Sequence, residues 1–412
     1  MAKANAERAL AELQGLRRIG AYKTGVHRPT LSKEDMVSRE WLCGQLRALG
    51  HEAHVDGIAN VVSAAPGDGP RILAGSHIES QNEAGWLDGA LGVIYALEAA
   101  RAVAEDPALS AAGCAVDVCA FADEEGHFGS FFGSKSLTGK LSEEDIDRAE
   151  CRSGRGPLRD HLAAAGLADV ARARLDPSRY LAFFEAHIEQ GPRLEAEGLT
   201  VGVVTSIVAI WQYRIVAVGE QNHAGATSMT ARKDAAKALL EVWRRLEDAF
   251  PGVAGPDSVW TAGRVVLDPN APSVIPGYGE LWFQHRDCEL EVLERMHARL
   301  AEVIAEADAA SPCAIRLEIV GRNIPARMDE ELRGHLAEAA EAIVPGRWRH
   351  MPSAGAHDAQ MIQPHLPSAM LFVPSIGGVS HHWTEDTDAA DIKRGVEVYV
   401  DAVSRRFHAA LA

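Results

Sequence analysis

Gly75-Ser-His-Ile-Glu-Ser-Gln-Asn-Glu-Ala-Gly-Trp-Leu-Asp-Gly-Ala-Leu-Gly92 follows a short apolar run, Arg71 to Ala74, and leads into an Ala- and Leu-rich segment, Ala90 to Val103. The run has the pattern of a buried strand and the segment that of a helix. His77 is therefore expected at a strand's C-terminal end and Asp88 at a helix's N-terminal end. Ligands bind at such edges in open α/β sheets. An imidazole and a carboxylate meeting there suit a divalent cation of the zinc or manganese kind. Taken alone, the pair fits equally a His–Asp hydrogen bond inside a loop.

Three further apolar runs end in the same way. Cys114 to Phe121 stops at Ala122-Asp-Glu-Glu-Gly126, Leu181 to Ala186 delivers His187-Ile-Glu-Gln-Gly191, and Ala369 to Val373 precedes Gly377-Gly-Val-Ser-His-His-Trp-Thr-Glu385. Neighbouring glutamates point different ways, so one of Glu124 and Glu125 can hold a metal while the other takes a proton from water. In the last segment either His381 or His382 can complete a metal site.

The chain has 412 residues and a formal net charge of −17. That length predicts two domains, and that charge repels a nucleic-acid or anionic-membrane partner. Six cysteines without CxxC spacing read as reduced core thiols. No segment is apolar for long enough to span a bilayer, which makes the cytoplasm the expected location.

Ser32-Lys-Glu-Asp35 has the layout of a capping box opening a helix through Leu49. The alternation of strands and helices predicts an α/β domain. From Trp211 the pattern changes to half-exposed antiparallel strands, at Gln212–Val218, Ser258–Leu267, Tyr278–Arg286 and Ala314–Val320, with helices near 231–250 and 289–307. A smaller α+β domain at 211–325 is thus expected to interrupt a discontinuous domain at 1–210 and 326–412. In the latter, Met351 to Asp358 reads as a loop.

Seven motifs in register resemble the M20-type metallopeptidase-like amidohydrolases, in the branch of N-carbamoyl-L-amino-acid hydrolases, β-ureidopropionases and allantoate amidohydrolases. They are Gly75-Ser-His77 through Gly92, Asp123-Glu-Glu-Gly126, Glu185-Ala-His-Ile-Glu-Gln-Gly-Pro192, Asn222-His-Ala-Gly225, Val274-Ile-Pro-Gly277, His357-Asp-Ala359, and Ser380-His381 with Glu385. The resemblance implies a three-layer α/β metallopeptidase-like catalytic domain with an inserted dimerisation (lid) domain, and hence a homodimer. It implies one or two divalent ions, Mn or Zn, with Asp88 bridging, His77 and His187 completing one site, and Glu125 and His381 the other. Glu124 is the implied general base. His223 is the implied oxyanion donor to a second copy's active site. Gln190, Arg286, Ser273 and Gly355 are the implied contacts to a small substrate bearing a carboxylate, with Arg286 its natural bidentate partner.

The chain departs from the family pattern at several of these places. Glu79 stands where the family has an aspartate that orients the first histidine, and Glu385 is the second outer residue expected to support the ligands. Ser273 replaces an asparagine, Ala354 and Ala356 replace glycines, and His382 and Trp383 add aromatic lining. The implied activity is metal-dependent hydrolysis of a linear C–N bond in an N-carbamoyl amino acid or related ureido compound. Alternatives are an N-acyl amino acid, ammonia release from an aromatic amine such as an aminobenzoate, or a non-catalytic dimeric binding protein. Intact Glu124, Glu125 and His187 speak against the last.

Overall fold

The computed structural model describes residues 1–412. The chain forms two compact units, Met1–Thr205 with Arg327–Ala412, and Ser206–Ala326. These borders lie a few residues from 211 and 325, because the strand placed at Gln212 begins at Ala209, paired with Asp287.

The larger unit is built on a nine-stranded mixed sheet. At its centre Ser368–Val373, Phe183–Ile188, Arg71–His77 and Ala115–Phe121 lie side by side and parallel. All but the first residue of Ala115–Phe121 are buried in these four strands, which is why they read as continuous apolar runs rather than alternating ones. Antiparallel strands extend the sheet on either side, Val61–Ala64 and Glu52–Val55 beyond Ala115–Phe121, and Val201–Ile207 beyond Ser368–Val373. Val201–Ile207 and Trp348–Ser353 were not expected as strands. The second covers the start of the presumed loop at Met351–Asp358 and pairs with the first. Short helices at Phe132–Leu137, Glu143–Arg148 and Leu158–Ala164 also escaped the sequence reading, since each is too brief to show a helical period.

The helix Ala90–Glu105 is buried almost all round and packs on three of the central strands. Ala389–Leu411, Glu330–Ile343 and Ala6–Leu16 share its core, which contains Ile94, Leu97, Phe184, Leu371, Val396 and Tyr399. All six cysteines are buried and unpaired. No helix is long and apolar enough to cross a membrane.

Ser32 caps the helix Lys33–Ala48 by accepting from the Asp35 N–H at 3.1 Å. The reciprocal half of the expected box is missing: the Asp35 carboxylate accepts instead from the Leu31 N–H at 2.8 Å and from Arg39 at 2.9 Å. A reciprocal box forms at Ser142 and Asp145.

The smaller unit has a four-stranded antiparallel sheet, ordered Val259–Asp268, Tyr278–Asp287, Ala209–Val218, Ala314–Arg322. Burial alternates strictly along Tyr278–Asp287, as it must when one face meets helices and the other does not. The helices Ala235–Ala249 and Leu290–Ala310 cover the buried face, meeting Tyr213, Ile215, Leu281 and Phe283 through Leu239, Val242, Met296 and Leu300.

Leu97 is fully buried in the central helix. Truncation to Ala is expected to destabilise the larger unit by about 2–5 kcal/mol, read as a lower denaturant midpoint in chemical unfolding.

Candidate metal centre

Parallel alignment brings the carboxyl ends of the four central strands to one edge of the sheet. His77 is the last residue of its strand, His187 lies one residue from the end of its own, and Glu124 and Glu125 follow Phe121 by three and four residues. Asp88 enters one residue before Gly89, the N-cap of the helix Ala90–Glu105. His381 comes from the segment after Val373.

Two sets of ligand atoms converge there, His77 with Asp88 and His187, and Asp88 with Glu125 and His381, the atoms of each set lying within 4.8 Å of one another. Asp88 is common to both. Its Oδ1 lies 3.3 Å from His77 Nε2 and 2.9 Å from His187 Nε2, and its Oδ2 lies 3.3 Å from His381 Nε2. His381 Nε2 is also 3.5 Å from Glu125 Oε2, and Glu124 Oε2 stands 3.6 Å from His77 Nε2. The Nδ1 atoms of His77 and His187 face the Glu79 and Ile188 carbonyl oxygens at 3.1 and 2.9 Å. A carbonyl can only accept, so each Nδ1 donates and Nε2 is left as the ligating nitrogen, which in His187 also accepts from the Gly89 N–H at 3.2 Å.

The acidic groups crowd one another. Burial and Asp88 raise Glu125 to about 7 against the opposing pull of His77 and His381, and burial with Asp88 raises Glu385 to about 8. Burial, opposed by His77 but reinforced by Glu125, lifts Glu124 well above the usual carboxylate range. Asp88 is the exception: burial works against its charge, yet His187, His381 and His77 hold it well below the ordinary value. Its hydrogen bond to Asp88, reinforced by Glu125, moves His381 up to about 9. A concentration of carboxylates and imidazoles that must borrow protons from each other to balance charge fits a divalent cation. The donors, imidazole nitrogen and carboxylate oxygen, are those zinc and manganese accept.

Other expected residues fall around this cluster. Glu385 accepts from the Leu87 and Asp88 N–H groups at 3.2 and 3.1 Å and from Ser380 Oγ at 3.0 Å, tying the Asp88 loop to the His381 loop. Gln190 donates to Asp88 Oδ2 at 2.8 Å and to Ser380 Oγ at 3.1 Å, and a Cβ at Gly355 would stand 3.1 Å from its side-chain oxygen. His382, the competing candidate, is exposed and pairs with Thr384 at 2.7 Å. The Glu79 carboxylate does not touch the His77 ring's second nitrogen as expected of the residue at this place. Its extra methylene is absorbed by turning that carboxylate to Arg39, while its main-chain carbonyl orients the ring.

His223, Ser273 and Arg286 belong to the smaller unit. Asn222–His223 pairs with Val274–Ile275, and the Ala224 N–H donates to the Ser273 carbonyl at 3.0 Å, so two of the motifs form one local structure. His223 is exposed, with Nδ1 accepting from the Gly225 and Ala226 N–H groups. Arg286 lies at the end of Tyr278–Asp287.

Three features were missed from sequence. Asp123 adopts a left-handed φ of 56° and accepts from the His127, Phe128 and Gly129 N–H groups, shaping the turn that carries both glutamates. Gln190 and His381 also have positive φ, 59° and 54°. Arg39 is fully buried beside the cluster and had no sequence signal, being one cation among many on a helix.

Residues 64–405 match the model of peptidase family M20/M25/M40. The chain is 31% identical to an N-carbamoyl-L-amino-acid amidohydrolase of Paenarthrobacter aurescens, over 96% of this chain and 97% of that protein. It is 32% identical to an allantoate amidohydrolase of Bacillus subtilis, over 92% of each. The crystal structure of a hydantoinase/carbamoylase-family amidase from Burkholderia phymatum superposes with a TM-score of 0.91 at 42% identity, covering 99% of both chains.

Ligation requires these imidazoles and carboxylates to be deprotonated. Because Glu125 lies at about 7 and His381 at about 9, binding of Zn2+ or Mn2+ to metal-free protein is expected to release protons and to tighten as pH rises through that interval. Calorimetry in two buffers of different ionisation enthalpy reads the proton count; pH-independent affinity is the contrary result.

Proposed function

Since the chain belongs to peptidase family M20/M25/M40 and is an amidohydrolase, we propose that it hydrolyses a linear C–N bond in an N-carbamoyl amino acid or related ureido compound, with Glu124 as general base. The observation that carries this reading is the pair of ligand sets sharing Asp88 with Glu124 beside them.

His77, Asp88 and His187 would hold one divalent ion, and Asp88, Glu125 and His381 a second, manganese or zinc. Such ions, when bound, supply Lewis acidity, lowering the pKa of water and polarising a carbonyl. The chain's own groups do the rest. Asp88 stays ionised against its burial, as the residue that would serve both ligand sets must. Glu124, poised upward in pKa by burial and its neighbours, takes the proton of the attacking water and gives it to the leaving nitrogen. Cleavage of the ureido C–N bond then leaves an amino acid and a carbamate, which breaks down to ammonia and carbon dioxide.

Arg286, Ser273, Gln190 and Gly355 are the proposed substrate contacts, with Arg286 the bidentate partner of a carboxylate. His223 donates to the developing oxyanion in the active site of a second copy, so that the working enzyme is a homodimer. Gln190 supports a contact role by presenting its amide to Asp88 and Ser380, where an incoming polar group can exchange for it.

Glu124→Gln is expected to lower kcat by at least about 10²-fold with metal content unchanged, since it removes a base and not a ligand. Asp88→Ala is expected to lose both metal and activity, checked by metal analysis of the purified variant. His223→Ala is expected to lose kcat with the dimer intact by sedimentation. The substrate class is tested by product analysis over carbamoyl, acyl and arylamine compounds. Ammonia with carbon dioxide supports the ureido reading, and ammonia without it from an arylamine rejects it.

A further inference from the structure

Behind the metal cluster lies a set of buried charges that the proposed chemistry does not use. The side chains of Arg39, Asp35 and Glu79 are fully buried. Arg39 donates through Nε to Asp35 at 2.9 Å, through Nη1 to the Ala59, Ala120 and Phe121 carbonyls at 2.7, 3.2 and 3.2 Å, and through Nη2 to Glu79 Oε2 at 2.6 Å. The other oxygen of Glu79 accepts the main-chain N–H of Glu124 at 2.8 Å. One guanidinium thus grips the end of the strand Ala115–Phe121 directly and, through one carboxylate, the amide of Glu124 beyond the turn.

A second buried guanidinium holds the other side of the same loop. Arg28 donates through Nε to the Ile78 carbonyl at 2.8 Å, and its main chain exchanges hydrogen bonds with Ser80. The two arginines balance the charges of Asp35 and Glu79. Buried ionic sets of this kind add little net stability over apolar replacements. What distinguishes this one is where its carboxylate ends, on the amide of Glu124.

We propose that Arg39 and Glu79 are positioning residues, a buried guanidinium–carboxylate clamp that fixes the main chain of Glu124 and so aims its side chain at the reacting water. The proposal rests on the reading of Glu124 as base. It requires a carboxylate of glutamate length. A glutamine offers one acceptor oxygen where Arg39 and the Glu124 N–H need one each, so Glu79→Gln must turn its NH2 group against one of these donors. Glu79→Asp keeps the charge but is a methylene too short to span both. Neither substitution removes the Glu79 carbonyl that orients His77, so metal binding should survive.

The test compares wild type, Glu79→Gln and Glu79→Asp. In metal-free protein, hydrogen exchange of the peptide containing the Glu124 amide is expected to quicken in both variants. With Mn2+ or Zn2+ restored, kcat is expected to fall about 10- to 100-fold, while KM and metal affinity stay within about threefold of wild type. Unchanged exchange with unchanged kcat overturns the proposal. A loss of metal affinity parallel to the loss of kcat also overturns it, because the clamp would then act on His77. If Glu79→Gln does not fold, Glu79→Asp, which keeps the charge facing Arg39, decides alone. A Glu124→Gln control separates the two readings: if that control is inactive while Glu79→Gln is as active as wild type, only the clamp fails, and if the control turns over normally, the base assignment fails.

Discussion

Asp88 stands between three imidazoles, and every other feature of the larger unit answers to that arrangement. A fully desolvated carboxylate is unstable as an anion unless cations or donors surround it, and here His77, His187 and His381 are brought to it from three separate strand ends. Around that nucleus Glu124, Glu125 and Glu385 are held back from ionising by burial and by the charge of Asp88. Side chains so arranged are poor at stabilising a fold and well suited to meeting a multivalent cation. The parallel strands make it possible: because four neighbours run the same way, their carboxyl ends, where chains leave the sheet and side chains are free to turn inward, coincide.

Holding the groups in place takes local conformations that ordinary residues avoid. Asp123, Gln190 and His381 all occupy left-handed backbone, and each sits where the chain turns at the cluster. Such conformations persist only when surrounding contacts over-determine them. The contacts are visible: three consecutive amides on the Asp123 carboxylate, Ser375 Oγ on the Gln190 amide, and Glu385 bridging the loops that carry Asp88 and Ser380. The support is mostly carboxylate to main-chain N–H, so the acidic residues outside the ligand sets serve as fasteners.

The smaller unit follows different rules. Its sheet has one covered face, its strands alternate, and the two motifs resembling family signatures, Asn222-His-Ala-Gly225 and Val274-Ile-Pro-Gly277, meet as a short antiparallel pair just past the paired ends of Ala209–Val218 and Tyr278–Asp287. Their separation in sequence is bridged by the strand and helix between them, which shows why neither motif could be interpreted from its own neighbourhood.

Much of this was readable from the residues. Continuous apolar runs ending in His, Glu-Glu or His predicted buried strands of an α/β domain with ligand chemistry at their ends, because burial on both faces and polar residues at one edge leave separate marks on a sequence. The change to alternation near Trp211 marked the inserted unit for the same reason. What escaped had no local mark: Val201–Ile207 and Trp348–Ser353 are strands through pairing with each other and with distant segments, and the short helices near 132–164 are set by packing. The turning of the Glu79 carboxylate to Arg39 and the capture of Asp35 by that same arginine depend on which donors lie within 3 Å in space, and the nearness of His381 to Asp88 and Glu125, at 3.3 and 3.5 Å, likewise has no local mark. Periodicity records which face of an element is buried, but the partner of a buried charge is fixed by segments far away in the chain, and only folding brings them within reach.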